Sequence, residues 1–162
     1  MNHIFLGIGT NMGNREANLR EAVTRIGISI GEIKKISSVY ETEPWGFKAE
    51  NNFLNMVVEV VTSHTPSGVL GAILMIEAQL GRIRIEKQYS SRVIDIDILF
   101  FDDLIMDEIT LKIPHPYLHE RKFVLFPLNE IAADFIHPVL KQSVGSLLKS
   151  CEDLSEVRKI II

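Results

Sequence analysis

The chain has 162 residues, 46% of them hydrophobic and 23% charged, and a formal net charge of −4. These values are typical of one globular domain with a substantial core, so we take 1–162 as a single domain. The acidic balance argues against a general nucleic-acid binder. The single cysteine, Cys151, excludes an intrachain disulfide and favours a cytoplasmic protein. The N-terminus lacks the layout of a signal peptide, and the central apolar run at 69–76 is too short to cross a bilayer.

Strand and helix patterns mix along the chain. The first strand is predicted over 4–8, and Asn14 is the predicted N-cap of the helix that follows. Thr65 before a proline predicts the start of a second long helix, which Gly81 ends. Further elements are strands near 33–40, 53–61 and 157–161, a loop at 41–52, a turn at 102–103, and short helices at 121–132 and 143–150. This mixture favours an α+β sandwich over a doubly wound parallel sheet.

The most informative stretch carries two aspartates two positions apart. Its β-branched residues predict a strand, so Asp95 and Asp97 share one face while the neighbouring isoleucines share the other. Two carboxylates about 7 Å apart on such a strand can share divalent cations. The apolar flanks are typical of a central strand, where like charges need a positive partner. We interpret the pair as a hard-metal site; the alternative is the solvent face of a half-buried strand.

Residues 82–92 form a locally basic segment in this acidic protein. They hold four cations and one acid, namely Arg82, Arg84, Lys87 and Arg92 against Glu86. Such a segment suits a polyanionic ligand, and we predict that it closes over a bound nucleotide. A solvated loop with scattered charges is the alternative.

A glycine-rich stretch at 7–13 lies between the first strand and the first helix. Its spacing departs from the dinucleotide-binding fingerprint, whose third glycine would fall at Met12. We therefore interpret it as a glycine-rich turn.

His115 and His119 are four residues apart, but the zincin order is absent and prolines flank His115. We interpret 114–116 as a stiff turn that holds an imidazole in place, with a solvated turn histidine as the alternative. Glu77 lies near the apolar stripe of the second long helix, so its carboxylate is either at a rim or in contact with a ligand. Together with an aromatic set, these groups favour phosphoryl transfer without a covalent intermediate. The aromatic set is Trp45, Phe53, Tyr89 and Phe123.

Four blocks along nearly the whole chain resemble the 6-hydroxymethyl-7,8-dihydropterin pyrophosphokinase family. They lie at 6–13, at 40–44 with 53–55, at 92–98, and at 113–123. The Arg-x-x-Asp-x-Asp block, Arg92 to Asp97, is the most specific of them. The resemblance implies a ferredoxin-like α/β sandwich with a central, mostly antiparallel sheet. It also implies transfer of diphosphate from ATP to the pterin hydroxymethyl group, with release of AMP, in folate biosynthesis.

The resemblance further implies a role for each site residue. The residues at the reacting phosphates would be Arg82, Arg92, Asp95 and Asp97, with the two aspartates holding two Mg²⁺ ions. The nucleotide would be bound by Glu77, Arg84, Ile98, Lys112, His115 and Arg121. Of these, His115 and Arg121 would bind and neutralise the phosphates together with Arg82 and Arg92, and Glu77 and Ile98 would line the nucleotide site. The pterin would be bound by Thr42, Pro44, Trp45, Phe53, Asn55 and Phe123. Its ring would lie between Phe123 and an aromatic side chain from Trp45 or Phe53, and we predict that Trp45 packs over it. We expect a monomer whose partners are these small molecules, with neither nucleic acid nor a membrane involved.

Two positions depart from the family pattern. The stretch at 88–91 reads Gln-Tyr-Ser-Ser where a basic residue and a Gly-Pro pair are common, and Thr110 stands where some members carry an arginine. Lys112 supplies charge nearby, without the bidentate fork of arginine. Two rival functions remain open, another metal-dependent nucleotide enzyme and a non-catalytic binding module. The nucleotide product formed with ATP, Mg²⁺ and the pterin alcohol separates them.

Overall fold

The computed structural model describes residues 1–43, 51–81 and 93–162. Several predicted site residues lie outside these ranges, and so do the predicted closure of 82–92 and the predicted packing of Trp45 over the pterin. These site residues are Pro44, Trp45, Arg82, Arg84 and Arg92.

The described residues form eight strands, four α-helices and one short 3-10 helix, Leu118–Glu120. The elements are β1 (Asn2–Thr10), α1 (Arg15–Ser29), β2 (Glu32–Ile36), β3 (Val39–Thr42), β4 (Phe53–Thr62), α2 (Pro66–Gln79), β5 (Asp95–Phe101), β6 (Met106–Asp107), β7 (Lys112–Ile113), α3 (Lys122–Ala132), α4 (Val144–Ser150) and β8 (Arg158–Ile160). Both predicted helix starts are confirmed, since the side chains of Asn14 and Thr65 each accept a backbone N–H from the first turn at 3.1 Å. Gly81, with φ at +91°, follows the end of α2, as predicted.

The main sheet is antiparallel and runs in the order β5-β1-β4-β3-β8, with β2 also paired to β4. The mixed α+β class and the antiparallel sheet are therefore confirmed. The strand predicted over 33–40 is wrong in one respect, because it divides into β2 and β3. At the division, the Ser37 hydroxyl accepts the Val57 N–H at 2.9 Å, and the Ser37 N–H donates to the Val57 carbonyl.

The position predicted for the aspartate strand is also wrong. β5 pairs with β1 alone in the main sheet and lies at its edge rather than in its centre. Its outer edge is covered by other contacts. The Glu77 carboxylate accepts the Ile96 N–H at 3.0 Å, and the Leu99 carbonyl accepts the His115 N–H at 3.0 Å. β5 contributes buried residues to both faces of the sheet, Ile96 and Ile98 on one and Leu99 on the other, although one edge is not paired to another strand.

The hydrophobic core divides into two clusters, one on each face of the sheet. Ile4, Leu6 and Ile8 of β1 pack with the buried residues of α1 and α2. Phe5, on the opposite face of β1, packs with α3 and α4 through residues such as Leu125. The fold is thus a sheet between two helical layers. No helix in the described ranges has the length and apolar character needed to span a membrane.

Candidate active site

A cleft lies on the face of the sheet that carries α3. Along three strands, the residues on this face change from apolar ones, which belong to the core cluster packed against α3 and α4, to small or polar ones. Counting only the alternate positions on this face, Phe5 of β1 is followed by Gly7 and Gly9. In the same way Asn55 precedes Val57 on β4, and Asp95 and Asp97 precede Leu99 on β5. The residues lining the cleft include Gly7, Gly9, Thr42, Phe53, Asn55, Asp95, Asp97, Leu99, Arg121 and Phe123.

The floor of the cleft is the middle of β1. Gly9 lies opposite Asn55 on one side and Asp95 on the other, and Gly7 lies opposite Val57 and Asp97. Since neither glycine has a side chain, the sheet forms a trough between the carboxylates of β5 and the amide of β4. The glycine-rich turn predicted here is therefore wrong for Gly9, which lies inside β1, whereas the strand predicted over 4–8 correctly includes Gly7. The sequence signal for this trough was a glycine within a strand pattern, which is typical of places where a ligand approaches the backbone closely.

Asp95 and Asp97 form the acidic wall. Both are half-buried and line the cleft, as expected from their spacing on one face of a strand. Within the described ranges, no group of three or more histidine, cysteine, aspartate or glutamate side chains is arranged to hold a metal ion. Two carboxylates on one face of a strand suit a hard cation that takes further ligands from substrate oxygens and water.

Arg121 brings a positive charge to the same cleft. It is the N-cap residue of α3, and its guanidinium carbon lies 5.2 Å from the centroid of the Tyr117 ring and 5.7 Å from that of Phe123. These aromatic faces hold the guanidinium by cation–π attraction. Tyr117, which is 50% exposed, was not predicted as a site residue. The available signal was an aromatic residue two positions after a histidine flanked by prolines.

His115 stands beside this arginine. Its Nδ1 accepts the Tyr117 N–H at 3.1 Å, so its other ring nitrogen carries the proton of the neutral form. The pKa of His115 is lowered to about 4, chiefly by burial and also by the nearby Arg121 charge, while Asp95 opposes the shift. At neutral pH the imidazole therefore offers a hydrogen-bond donor, whereas the resemblance implied that it neutralises phosphate charge.

The wall opposite the aspartates carries the neutral, polar side chains of Thr42 and Asn55, and Glu43 also lines the cleft on this side. Thr42 is 3% exposed and Asn55 is 9% exposed, and the Asn55 amide donates to the Thr42 hydroxyl at 3.4 Å. Phe53 and Phe123 line the cleft beside them. Aromatic faces next to a fixed amide suit a flat heterocycle with several donors and acceptors.

Three predicted nucleotide contacts lie away from the described lining of this cleft. Glu77 is 2% exposed and is hydrogen-bonded to the edge of β5. Ile98 belongs to the core cluster on the opposite face of the sheet. Lys112 is exposed and forms an ion pair with Asp107 at 2.5 Å. Among the described residues, the cleft therefore brings Thr42, Phe53, Asn55 and Phe123 of the predicted pterin set together with Asp95, Asp97 and Arg121. Glu77, Ile98 and Lys112 lie elsewhere.

An antiparallel α+β domain with a carboxylate pair, an arginine and aromatic rings in one cleft suits phosphoryl transfer to a flat, polar acceptor. The family model described as 7,8-dihydro-6-hydroxymethylpterin-pyrophosphokinase (HPPK) matches residues 5–133. The chain belongs to this family.

Named relatives agree with this assignment. The 2-amino-4-hydroxy-6-hydroxymethyldihydropteridine pyrophosphokinase of Aquifex aeolicus is 39% identical over 139 residues, which cover 86% of each chain. The Bacillus subtilis protein of the same name is 42% identical over 133 residues, covering 81% of this chain and 79% of that one. The folic acid synthesis protein fol1 of Pneumocystis carinii is 36% identical over 150 residues, but this chain spans only 20% of its length.

Solved structures share the fold at lower identity. A Plasmodium falciparum HPPK-DHPS triple mutant with SDX-DHP superposes with a TM-score of 0.75 at 22% identity, over 91% of this chain and 44% of that chain. An HPPK-DHPS in complex with substrates gives a TM-score of 0.73 at 17% identity. This chain therefore spans less than half the length of those proteins.

Proposed function

We propose that this protein transfers diphosphate from ATP to the hydroxymethyl group of 6-hydroxymethyl-7,8-dihydropterin and releases AMP, as a step in folate biosynthesis. The chain belongs to the pyrophosphokinase family, and one observation about its cleft carries the proposal. In the cleft, Asp95 and Asp97 lie on one wall and Asn55 lies on the opposite wall, with the glycines of β1 between them as the floor.

The neutral side of the cleft is the proposed pterin subsite. Asn55 and Thr42 would hydrogen-bond the edge of the ring, since both are buried and fixed by contact with each other. Phe53 and Phe123 would cover its faces. Pro44 and Trp45, outside the described residues, belong to the same proposal.

The acidic side is the proposed metal and phosphate subsite. Asp95 and Asp97 would hold two Mg²⁺ ions, because hard cations use one or two carboxylates together with substrate phosphates. When bound, Mg²⁺ offsets the negative charge of the phosphate oxygens. The remaining residues proposed for ATP are Glu77, Arg82, Arg84, Arg92, Ile98, Lys112, His115 and Arg121.

In the proposed reaction, the pterin hydroxyl oxygen forms a bond to the β-phosphorus of ATP. The bond from that phosphorus to the α,β-bridging oxygen breaks, AMP leaves with the oxygen, and the hydroxyl proton passes to water. Arg121 supplies positive charge near the phosphates, and neutral His115 supplies a hydrogen-bond donor. Asn55 and the aromatic rings orient the acceptor.

We extend the proposal to the organisation of the protein. The element order β-α-β-β-α-β, with β2 and β3 counted as one strand, and the sheet order β5-β1-β4-β3 support a ferredoxin-like core. We propose that residues 1–162 act as one monomeric, cytoplasmic domain whose partners are ATP and the pterin alcohol.

The product assay tests the function directly. The protein is incubated with ATP, Mg²⁺ and the reduced pterin alcohol, and the nucleotide products are separated. We expect AMP, formed only when pterin is present. ADP, or turnover without pterin, would indicate a different nucleotide enzyme, and binding of both ligands without turnover would indicate a binding module.

A further inference from the structure

We infer that Gly9 is a positioning residue for pterin recognition, because its missing side chain leaves room for the Asn55 carboxamide in the orientation seen here. The inference rests on the proposed function, in which Asn55 binds the pterin.

The space around Gly9 is filled by Asn55. A Cβ placed on Gly9 would lie 2.8 Å from the Asn55 Oδ1, and 3.9 Å from both its Cγ and the Leu54 carbonyl oxygen. The first distance is shorter than van der Waals contact, so the carboxamide would have to move. Its other side is limited by the buried Thr42 hydroxyl, at 3.4 Å from the amide nitrogen. The carboxamide is thus held between Gly9 and Thr42.

Gly7 provides an internal comparison on the same strand and the same face. The three atoms nearest to a Cβ at Gly7 would all belong to the Leu99 side chain, the closest at 3.5 Å, which is ordinary contact. Among the described glycines, only Gly13 and Gly81 have positive φ, so the backbone at Gly7 and Gly9 accepts alanine without strain. The two positions therefore differ in side-chain space and not in backbone conformation.

The effect of a methyl group at Gly9 should fall on one side of the cleft. The three atoms nearest to the added Cβ belong to β4. None of them belongs to Asp95, which lies on β5, the strand on the other side of β1. Displacing the Asn55 amide removes a pre-arranged hydrogen-bonding group from the pterin subsite. The carboxylates proposed to hold the cations keep their positions.

The test compares Gly9→Ala with Gly7→Ala, each alone and combined with Asn55→Ala. The steady-state KM is measured for the pterin and for ATP separately, alongside thermal unfolding. We expect Gly9→Ala to raise the pterin KM roughly tenfold and the ATP KM by less than about twofold. Its effect should disappear in the Asn55→Ala background, because the methyl group then has nothing to displace. Gly7→Ala should raise the pterin KM less, and equally in both backgrounds.

The outcomes separate this inference from the proposed function. An unchanged pterin KM in Gly9→Ala, or an equal increase with and without the Asn55 side chain, overturns the positioning role while the function stands. Wild-type protein without pterin-dependent AMP overturns both. If Gly9→Ala alone does not fold, Gly9→Ala/Asn55→Ser, which shortens the opposing side chain, must restore folding; failure to do so also overturns the inference.

Discussion

At the scale of single residues, the cleft separates charge from hydrogen bonding. Asp95 and Asp97 occupy one wall, and the neutral pair Thr42 and Asn55 occupies the other. This division suits a reaction in which one substrate carries phosphate charge and the other is a neutral ring. Substitutions on the two walls should therefore have different kinetic consequences.

Asp97→Asn should lower turnover by about a thousandfold or more while the fold is retained, since it removes a charge proposed to hold the cations and touches little of the core. Single-turnover formation of AMP measures the loss, and circular dichroism checks the fold. Asp103→Asn, in the exposed turn after β5, makes the same charge change away from the cleft and should leave turnover near the wild-type value. Near-wild-type turnover in Asp97→Asn would refute the metal site.

His115 should make stability depend on pH. Burial lowers its folded-state pKa from 6.5 to about 4, so between these values the unfolded chain binds the extra proton. The stabilisation is complete above pH 6.5 and is lost as the pH falls towards 4, by at most about 3 kcal/mol. Urea unfolding at pH 7.5 and 4.5 should show a smaller loss for His115→Gln than for wild type, because glutamine does not titrate. Equal losses would show that His115 is not the group responsible.

At the scale of elements, β5 is an edge strand, and groups on its outer edge are hydrogen-bonded by a side chain of α2 and by the turn at His115. The Glu77 carboxylate of α2 accepts the Ile96 N–H, midway between the two aspartates. Buried backbone groups without a partner cost about 1–3 kcal/mol. Glu77 therefore supports the strand that carries the acidic wall, whether or not it also contacts nucleotide.

Glu77→Ala should lower the free energy of unfolding by about 1–3 kcal/mol, because it leaves the Ile96 N–H buried without this acceptor. Glu77→Gln is the matched variant, since its amide oxygen can still accept that hydrogen bond, and it should lose less. Urea denaturation followed by circular dichroism measures both. The same loss for both variants would mean that the carboxylate charge, and not the hydrogen bond, stabilises the strand.

Sequence patterns predicted the faces of the elements better than their edges. Asn14 and Thr65 act locally, so their capping roles could be predicted from neighbouring residues alone. The apolar residues around Asp95 and Asp97 indicated a strand that packs on both faces, and β5 does contribute to both core clusters, which lie on opposite sides of the sheet. Which strand pairs with which edge depends on contacts distant in sequence, so the edge position of β5 could not be predicted.

The candidate site was predicted where residue type alone indicates chemistry. The carboxylates and aromatic rings were singled out in this way, and Asn55 through the family resemblance. Asp95, Asn55 and Phe123 line one cleft, and their roles stay predictions. Gly9 and Tyr117 could not be assigned in this way. Their contribution comes from the space left beside Asn55 and from contact with Arg121, which only the packed structure supplies.

At the scale of the whole molecule, the C-terminal residues complete the domain beyond the part matched by the family model, 5–133. α4 packs against α3 in the second core cluster through Val144 and Leu147. β8 adds a strand beside β3, the strand that ends at Thr42. The far end of the chain thus supports the sheet next to the proposed pterin subsite.

Glu41 links this C-terminal strand to the start of α1. Its carboxylate accepts hydrogen bonds from Arg158 of β8 at 2.8 Å and from Arg15 of α1 at 3.2 Å. Arg15 also donates to the Asn52 carbonyl at 2.9 Å, immediately before β4. One partly buried acid therefore joins segments that are far apart in sequence, and such charge-assisted networks contribute more than isolated exposed pairs.

Glu41→Gln should lower the free energy of unfolding by about 1 kcal/mol, because two charge-assisted hydrogen bonds are weakened together. Glu16→Gln is the matched control. Its exposed carboxylate lies 3.9 Å from Arg20 one helical turn away, and such pairs contribute at most a few tenths of a kcal/mol. Urea unfolding at low salt and in about 0.5 M NaCl measures both variants, and salt should reduce the Glu41 effect only in part because the carboxylate is partly buried. If Glu41→Gln is as stable as Glu16→Gln at low salt, the link between the C-terminal strand and the rest of the domain does not depend on this acid.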